Sequence, residues 1–242
     1  MSGFVDLHAH YLASVDDGSS DIATTVAMVK GVTALGFTHL FATPHQREGL
    51  YLPPALAIDA AFRQMTATIT GSTAPALGLG AENFWDETFL ARVQAKTIPS
   101  YDGGPAFLFE VPPPLMPVAL DAMLFEIRLG GKLPVMAHPE RYHAVQADLE
   151  RARALGHTAA LVVDLAALDG AHGRTEMKTA RQLLSDGLAH AGATDIHGGQ
   201  DLPGIAAGIA GIRKHLGPEI LETLLAENPR RILAGDLPEL GS

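Results

Sequence analysis

Two histidines, His8 and His10, stand one residue apart at the end of the first apolar run of the sequence. On an extended backbone, residues i and i+2 point the same way, so both imidazoles can face one metal ion. Several later apolar runs also lead into a histidine or a carboxylate. The full set of candidate metal ligands is His8, His10, Asp17, His45, Glu82, Glu110, His138, Asp195 and His197. A turn or surface role would explain any one of them, but nine such placements favour a metal site.

Seven short apolar runs are predicted strands, and they alternate with segments of helical periodicity. The first strand begins at Phe4 and ends near the two histidines. The other six are predicted at residues 39–42, 76–81, 106–109, 133–137, 160–163 and 189–193. Helices are predicted at about residues 21–35, 55–70, 115–129, 147–155, 174–185, 205–216 and 219–226. The aromatic stretch at Phe84 and Trp85 is predicted to be irregular.

Alternation of strands with helices favours parallel strands joined by right-handed crossovers. Closing seven such strands gives an α/β fold, a (β/α)7 TIM-like barrel that forms a single domain over residues 1–242. In barrels of this kind, the loops at the carboxyl ends of the strands meet at one mouth. The candidate ligands fall at such ends, so we expect the metal site at the C-terminal ends of the strands.

The composition argues against several other kinds of site and partner. The chain has 242 residues, no cysteine and a formal net charge of −10. Without cysteine there is no thiolate nucleophile and no thiolate zinc site. The acidic charge argues against nucleic acid and anionic membranes as partners. No apolar stretch approaches the roughly 20 residues that span a bilayer, and no secretory signal is visible, so we expect a cytoplasmic protein without membrane insertion.

The predicted site combines five imidazoles with four carboxylates and contains no sulfur donor. Nitrogen and oxygen donors suit Mn²⁺, Fe²⁺ or Zn²⁺ better than Ca²⁺ or Mg²⁺. With three such ions and a bridging hydroxide, the site keeps a small positive charge and suits a phosphate monoester dianion. Metal ions that share a water lower its pKa and bind phosphoryl oxygens, so hydroxide can attack phosphorus in line. The predicted chemistry is metal-dependent hydrolysis of a phosphate ester.

Two arginines and a tyrosine near the mouth are candidates for contact with a substrate. Arg141 and Arg47 each follow a predicted histidine ligand within three residues, and either guanidinium could bind phosphate oxygens in a forked contact. Both are therefore predicted as catalytic and substrate-binding residues. Tyr51 could line the entrance for a phenyl ring. Asp164 is interpreted as a structural or supporting residue, and six other histidines as surface or core residues, namely His39, His143, His157, His172, His190 and His215.

Short motifs along almost the whole chain resemble those of one known superfamily. They are residues 6–10 (DLHAH), 15–18 (VDDG), 43–45 (TPH), 80–82 (GAE), 109–110 (FE), 137–142 (AHPERY), 194–197 (TDIH) and 227–231 (ENPRR). In this order and spacing they resemble the polymerase and histidinol phosphatase (PHP) superfamily. More narrowly, they resemble the bacterial PHP-type tyrosine-protein phosphatases of capsule and exopolysaccharide loci.

The resemblance implies a distorted seven-stranded barrel and two to three divalent ions, with manganese favoured over iron or zinc. It implies hydrolysis of phosphotyrosine on a protein, namely a bacterial tyrosine autokinase that controls capsule or exopolysaccharide synthesis. It also implies how the ligands are shared. One ion would bind His8, His10, Glu82 and Asp195, a second Glu82, Glu110 and His138, and a third Asp17, His45 and His197. Aspartate at position 17 favours the tyrosine phosphatase branch over the histidinol phosphate branch.

One position departs from the family pattern. These phosphatases commonly have an arginine shortly after the last Asp-x-His, whereas this chain continues with residues 198–204, GGQDLPG. The resemblance then implies either that Arg141, Arg47 or Arg174 binds the phosphoryl group instead, or that the enzyme is slower or differently selective.

Three alternatives remain open at the level of sequence. The first is a PHP phosphatase for a small metabolite such as histidinol phosphate. The second is a non-catalytic regulatory module that is stabilised by its metal site. The third is an amidohydrolase, since those barrels also begin with His-x-His. Turnover of a phosphotyrosine peptide, of histidinol phosphate and of an amide would distinguish the three activities.

Overall fold

The computed structural model describes residues 3–241 and has a mixed α/β architecture in which the paired strands are parallel. The strands β1 to β9 are Phe4–Asp6, Phe37–Ala42, His45–Gln46, Ala76–Leu79, Glu82–Phe84, Ala106–Glu110, Leu133–Ala137, Ala160–Asp164 and Ala191–Ala193. A strand lies at each of the seven predicted positions, and the prediction of parallel strands is confirmed. The two additional strands, β3 and β5, are short and continue the chain just beyond β2 and β4.

Ten α-helices are assigned in residues 3–241. The helices α1 to α10 are Ile22–Ala34, Ala55–Thr68, Glu87–Ala95, Leu120–Leu129, His143–Ala147, Leu149–Gly156, Arg174–Ser185, Leu202–His215, Pro218–Glu222 and Asn228–Leu233. Short 3-10 segments lie at Tyr101–Gly103, Pro139–Arg141, Ala166–Asp169 and Gly199–Asp201, and a π-helical turn lies at Thr223–Glu227. None of the helices in this part of the chain is both long and apolar enough to cross a membrane.

Several helix predictions are wrong in their detail. The helix predicted at residues 115–129 begins only at Leu120, because the prolines at 112–114 and 117 cannot donate backbone hydrogen bonds. The helix predicted at residues 147–155 begins only at Leu149, as α6, and the separate helix α5, which ends at Ala147, is absent from the prediction. The extended backbone of Asp148 places its carboxylate to accept a hydrogen bond from Glu150 N at 3.0 Å, which caps α6.

Two further helices are absent from the sequence-based prediction. One is α3, which follows the aromatic stretch that is predicted to be irregular. Its cap is Asp86, whose carboxylate accepts a hydrogen bond from Phe89 N at 2.8 Å. The other is α10, which follows the π-helical turn where the predicted last helix ends. Both helices are short, so their apolar periodicity is weak evidence on its own.

The strands form two sheets, and the paired strands within each sheet are parallel. One sheet has the order β1-β2-β4 and the other the order β3-β5-β6-β7-β8-β9. Beyond β1, the chain also meets the segment that follows β9, where His10 N donates to Ile196 O at 3.0 Å and Asp195 N donates to His8 O at 2.8 Å. The first and last strands of the chain are therefore neighbours at their carboxyl ends.

A buried carboxylate, Asp6, holds these two ends of the chain together. It accepts hydrogen bonds from Thr194 N at 2.9 Å, from Thr194 Oγ1 at 2.7 Å and from Tyr11 Oη at 2.6 Å. Burial raises the pKa of Asp6, and these hydrogen bonds partly offset that effect. The contacts fix the position of residues 194–197 relative to residues 8–10, which carry four of the predicted ligands.

The packing of α8 gives a prediction about stability. A methyl group added at Gly208 would lie 2.1 Å from the backbone oxygen of Leu165, whereas nothing lies within 4 Å of one added at Gly211 in the same helix. We expect Gly208→Ala to lower the free energy of unfolding by about 1–3 kcal/mol through overpacking. The matched variant Gly211→Ala should leave it unchanged or raise it by about 0.5–1 kcal/mol, since alanine favours a helix. Urea unfolding of both proteins checks this, and equal effects would contradict it.

Candidate metal centre

The nine predicted ligands lie together at the carboxyl ends of the strands. His8 and His10 follow β1, Asp17 precedes α1, His45 and Glu82 follow β2 and β4 as the first residues of the short strands β3 and β5, Glu110 ends β6, His138 follows β7, and Asp195 and His197 follow β9. Each of them approaches at least one other member of the set within 3.8 Å. Side chains from distant parts of the sequence therefore meet in a single cluster.

Glu82 is the residue with the most contacts in this cluster, and it is almost fully buried. Its Oε2 atom is 2.8 Å from His45 Nδ1, 3.3 Å from His8 Nε2 and 3.5 Å from His10 Nε2. Its Oε1 atom is 3.0 Å from His138 Nε2. One buried carboxylate thus meets four imidazoles.

The contacts among these side chains fit a bound cation better than a network of hydrogen bonds. Glu82 Oε2 and His45 Nδ1 are buried and have no hydrogen-bond partner, although they are only 2.8 Å apart. The Nε2 atoms of His8 and His10 are 3.3 Å apart. Buried polar atoms normally have partners, and a divalent ion that accepts their lone pairs would provide one. Their nitrogen and oxygen donors also suit Mn²⁺, Fe²⁺ or Zn²⁺.

Four combinations of the nine residues bring their donor atoms within 4.8 Å of one another. They are His8, His10 and Glu82; His8, His138 and Asp195; His45, Glu82 and Glu110; and His10, Asp17, His45 and His197. These combinations overlap with the three ion groups that the family resemblance implies. They differ in detail, because His8, His10 and His45 each belong to two of the four combinations.

The cluster changes from buried to exposed across the mouth. The side chains of His8 and Glu82 are 2% and 1% exposed, whereas that of Asp17 is 43% exposed. Asp17 Oδ1 lies 3.3 Å from His45 Nε2 and 3.6 Å from His197 Nε2. An ion held by Asp17 would therefore exchange with solvent more readily than one held by His8 and Glu82.

Burial and neighbouring charges set the protonation of the cluster when it holds no ion. Burial favours the neutral form of Glu82, but the imidazoles of His8 and His45 hold its pKa well below the usual range. Burial and the charge of Glu82 raise the pKa of Glu110 to about 8. Burial also lowers the pKa of His138 to about 4. At neutral pH His138 is therefore a neutral imidazole, which is the form that binds a metal.

Asp16, rather than its neighbour Asp17, orients one of the histidines. Its Oδ2 atom is 2.8 Å from His10 Nδ1 and accepts a hydrogen bond from His45 N at 3.0 Å. Although burial opposes ionisation, its hydrogen bond and charge interaction with His10 lower the pKa of Asp16 to about 2. A carboxylate on Nδ1 leaves Nε2 of His10 free to bind an ion. Nothing in the sequence indicates which of the two adjacent aspartates is buried against His10.

The sequence from residue 4 to residue 234 matches the family model for capsular polysaccharide synthesis, CpsB/CapC. This chain belongs to the CpsB/CapC family. The predicted resemblance to bacterial PHP-type phosphatases of capsule loci is confirmed at the level of the family.

Two relatives of this CpsB/CapC protein are named as tyrosine-protein phosphatases. It is 26% identical over 198 residues to YwqE of Bacillus subtilis (strain 168), across 80% of this chain and 77% of the relative. It is 26% identical over 242 residues to CpsB of Streptococcus pneumoniae, across 96% of this chain and 99% of the relative.

A solved structure has the same fold. It comes from a crystallographic study of YwqE from Bacillus subtilis and CpsB from Streptococcus pneumoniae, described there as unique metal-dependent tyrosine phosphatases. It superposes with a TM-score of 0.87 at 23% identity, across 98% of this chain and 97% of the other.

Arg141 of this CpsB/CapC member reaches the edge of the cluster from the 3-10 segment after β7. Its Nη2 atom is 2.7 Å from Asp164 Oδ2 and 2.5 Å from Asp195 Oδ2. Burial opposes the charge of the guanidinium, but the carboxylates of Asp195 and Asp164 raise the pKa of Arg141 above its usual value. The guanidinium is thus a fixed positive charge beside a candidate ligand.

His172, which the sequence suggests is a surface or core residue, also lies at this edge. Its Nε2 atom is 2.5 Å from Asp164 Oδ2 and 3.0 Å from Arg141 Nη2. Asp164 therefore supports its neighbours, in agreement with its interpretation from the sequence. The loop after β8 carries no periodic pattern, so no sequence signal could have placed His172 here.

Arg47 and Tyr51 lie beside the cluster in a tight loop after β3. Their backbones are paired, with Arg47 N donating to Tyr51 O at 2.6 Å. The Tyr51 ring stacks on the His45 ring at 5.7 Å between centroids. The Arg47 guanidinium lies over the Phe84 ring, 4.2 Å from its centroid. Their roles toward a substrate stay predictions.

Two candidate ligands have a backbone conformation that is rare for residues other than glycine. The φ angle of His138 is 35° and that of Asp195 is 46°. Such left-handed conformations cost free energy, and they persist where surrounding contacts enforce them, often at functional sites. Here they turn the side chain at the end of β7 and the one after β9 toward the cluster.

These protonation states give a prediction about metal binding. Burial opposes protonation of His8, but the carboxylates of Asp195 and Glu82 raise its pKa, and the pKa of Glu110 is about 8. Both residues must lose protons before they bind an ion. We expect Mn²⁺ affinity to rise from pH 6 to about pH 8, with net release of protons. Calorimetry in buffers of different ionisation enthalpy checks this, and a pH-independent affinity would contradict it.

The exposure of Asp17 gives a second prediction about metal binding. Asp17→Asn should weaken or remove one divalent ion and leave the ions held by His8 and Glu82 in place, because Asp17 contacts only His45 and His197 among the ligands. Elemental analysis of Mn²⁺ bound per chain checks the expected loss of one ion. Asp59→Asn, an exposed change on α2, is the matched control. Loss of every ion in Asp17→Asn would show that the groups are not separable.

Proposed function

We propose that this protein is a metal-dependent tyrosine-protein phosphatase. The observation that carries the proposal is the cluster of five imidazoles and four carboxylates. At its centre is the buried Glu82, whose Oε2 atom has no hydrogen-bond partner. Its membership of the CpsB/CapC family supports the choice of substrate, because the relatives described above are named tyrosine-protein phosphatases. The absence of cysteine from the sequence agrees with a mechanism that needs no thiolate.

The residues that would hold the ions are the nine of the cluster, and we propose two to three ions with Mn²⁺ favoured. Bound divalent ions would lower the pKa of water toward neutrality and offset the charge of the phosphoryl oxygens. Other residues of the chain orient the side chains that would bind the ions. Asp16 fixes the ring of His10, and Asp6 fixes Thr194 and therefore the approach of Asp195. Burial keeps His138 neutral and able to donate its lone pair.

Arg141 is the strongest candidate for contact with the phosphoryl group. It is adjacent to Asp195, and its Nε atom is buried without a hydrogen-bond partner. A guanidinium with a fixed positive charge at the edge of the cluster suits a charge-assisted contact with a phosphate oxygen. We propose supporting roles for Arg47 in binding the anion and for Tyr51 in contacting the phenyl ring.

The partner we propose is a phosphotyrosine protein, specifically a bacterial tyrosine kinase that acts in capsule or exopolysaccharide synthesis. The family description and the names of the relatives support this choice. We also propose that the two sheets belong to one single-domain, TIM-like barrel of seven βα units. The backbone contacts between residues 8–10 and residues 194–196 support that closure.

Loss of one ligand tests the function. We expect Asp195→Asn and His138→Ala to lower kcat for a phosphotyrosine peptide with Mn²⁺ by at least about 10³-fold, because each removes a group that faces the centre. Far-ultraviolet circular dichroism should show that both variants are folded, and His157→Ala, an exposed change, should retain full activity.

The same assay separates the alternatives. Strong preference of the wild-type protein for histidinol phosphate over the peptide would overturn the tyrosine assignment. Full activity of either ligand variant would overturn the metal-dependent mechanism, and hydrolysis of an amide but of no phosphate ester would favour an amidohydrolase.

A further inference from the structure

The loop after β8 carries an imidazole that none of the proposed ion groups uses. His172 lies between Gly170 and Gly173, whose φ angles of 91° and 124° are in the left-handed region that favours glycine. These turns bring the side chain, which is 38% exposed, back to Asp164 and Arg141. Its Nε2 atom is 2.5 Å from Asp164 Oδ2 and 3.0 Å from Arg141 Nη2. The loop therefore returns this side chain to the edge of the centre.

The number of hydrogens decides how these groups are connected. Nη2 of Arg141 has two hydrogens but lies within hydrogen-bond distance of Asp164, Asp195 and His172. Charged carboxylates are the stronger acceptors, so both hydrogens go to the two aspartates. His172 then donates its own Nε2 hydrogen to Asp164 Oδ2.

The same arrangement argues against another ion at this position. Donor atoms of Asp164, His172 and Asp195 lie close enough to hold a cation. However, Nη2 of Arg141 contacts all three residues, so the guanidinium already supplies the positive charge there.

Asp164 is the link between the histidine and the arginine. It is buried, and its Oδ1 atom accepts a hydrogen bond from Ala166 N at 2.8 Å. Its Oδ2 atom accepts from both His172 and Arg141. Removing the imidazole would leave Oδ2 with one donor, and the carboxylate and the guanidinium could then rotate together.

We propose that His172 is a positioning residue that fixes the guanidinium of Arg141, through Asp164, in the orientation that binds the phosphoryl group. This inference rests on the proposed function, in which Arg141 contacts the substrate. His172 acts through its hydrogen bond and transfers no proton to the leaving group.

A double-mutant cycle tests the proposal in the metal-loaded 242-residue protein, with a phosphotyrosine peptide and p-nitrophenyl phosphate as substrates. We expect His172→Ala to raise KM about tenfold, the effect of losing a hydrogen bond to a charged group. The change in kcat should be smaller, and both substrates should be affected equally. His172→Gln, whose amide can donate to Asp164, should restore most of the loss. In an Arg141→Ala background, His172→Ala should have no further effect.

Bound Mn²⁺ and the exposed change His215→Ala serve as controls, and both should match the wild-type protein. The proposal is overturned by an unchanged KM in His172→Ala, by loss of bound ions in that variant, or by an effect that persists in full without Arg141. An effect confined to the phosphotyrosine peptide, whose phenol is the poorer leaving group, would also overturn it and would indicate proton transfer. If the wild-type protein hydrolyses neither substrate, the proposed function fails and this inference fails with it. If the wild-type protein is active but Arg141→Ala alone is silent, the proposed function stands and only the role of Arg141 and this inference are overturned.

Discussion

A buried carboxylate among four imidazoles is the constraint on which the rest of this structure depends. Glu82 is only 1% exposed, and its two oxygens face nitrogen atoms of His8, His10, His45 and His138. An unpaired charge in such a place is strongly unfavourable. Protons on the imidazoles can offset it, but only partly, because burial keeps His138 neutral. Divalent cations would satisfy the carboxylate and the lone pairs together.

Parallel strands are a direct way to collect such groups, since their carboxyl ends meet on one side of the sheet. The strands themselves, however, do not complete the arrangement. Asp6 joins the first strand to the segment after the last one, Asp16 aims His10, and left-handed backbone turns His138 and Asp195 inward. The parallel strands therefore bring the ligands close together, and local contacts and strained backbone conformations at the carboxyl ends of the strands set their final positions.

This division explains how much could be predicted from the sequence. The strand positions and the nine clustered residues could be predicted, because short apolar runs that lead into a histidine or a carboxylate are a local feature of the sequence. The helix breaks at Asp148 and after Glu222 depend on capping and on tertiary contacts, which periodicity does not report. Asp16 and His172 could not be assigned, because only the folded backbone decides which of two adjacent aspartates faces inward and where an irregular loop returns.

The cost of the local arrangement bears on whether the centre is catalytic. A site kept only for stability needs ligands and burial, and nothing in that role calls for a charged arginine held 2.5 Å from one of the ligands. Arg141 keeps a buried Nε without a partner, and its neighbour Asp195 has a strained φ angle of 46°. Stability alone would select against both features, since each raises the free energy of the folded state. Their persistence at the mouth favours a centre built to bind an anion rather than a structural metal site.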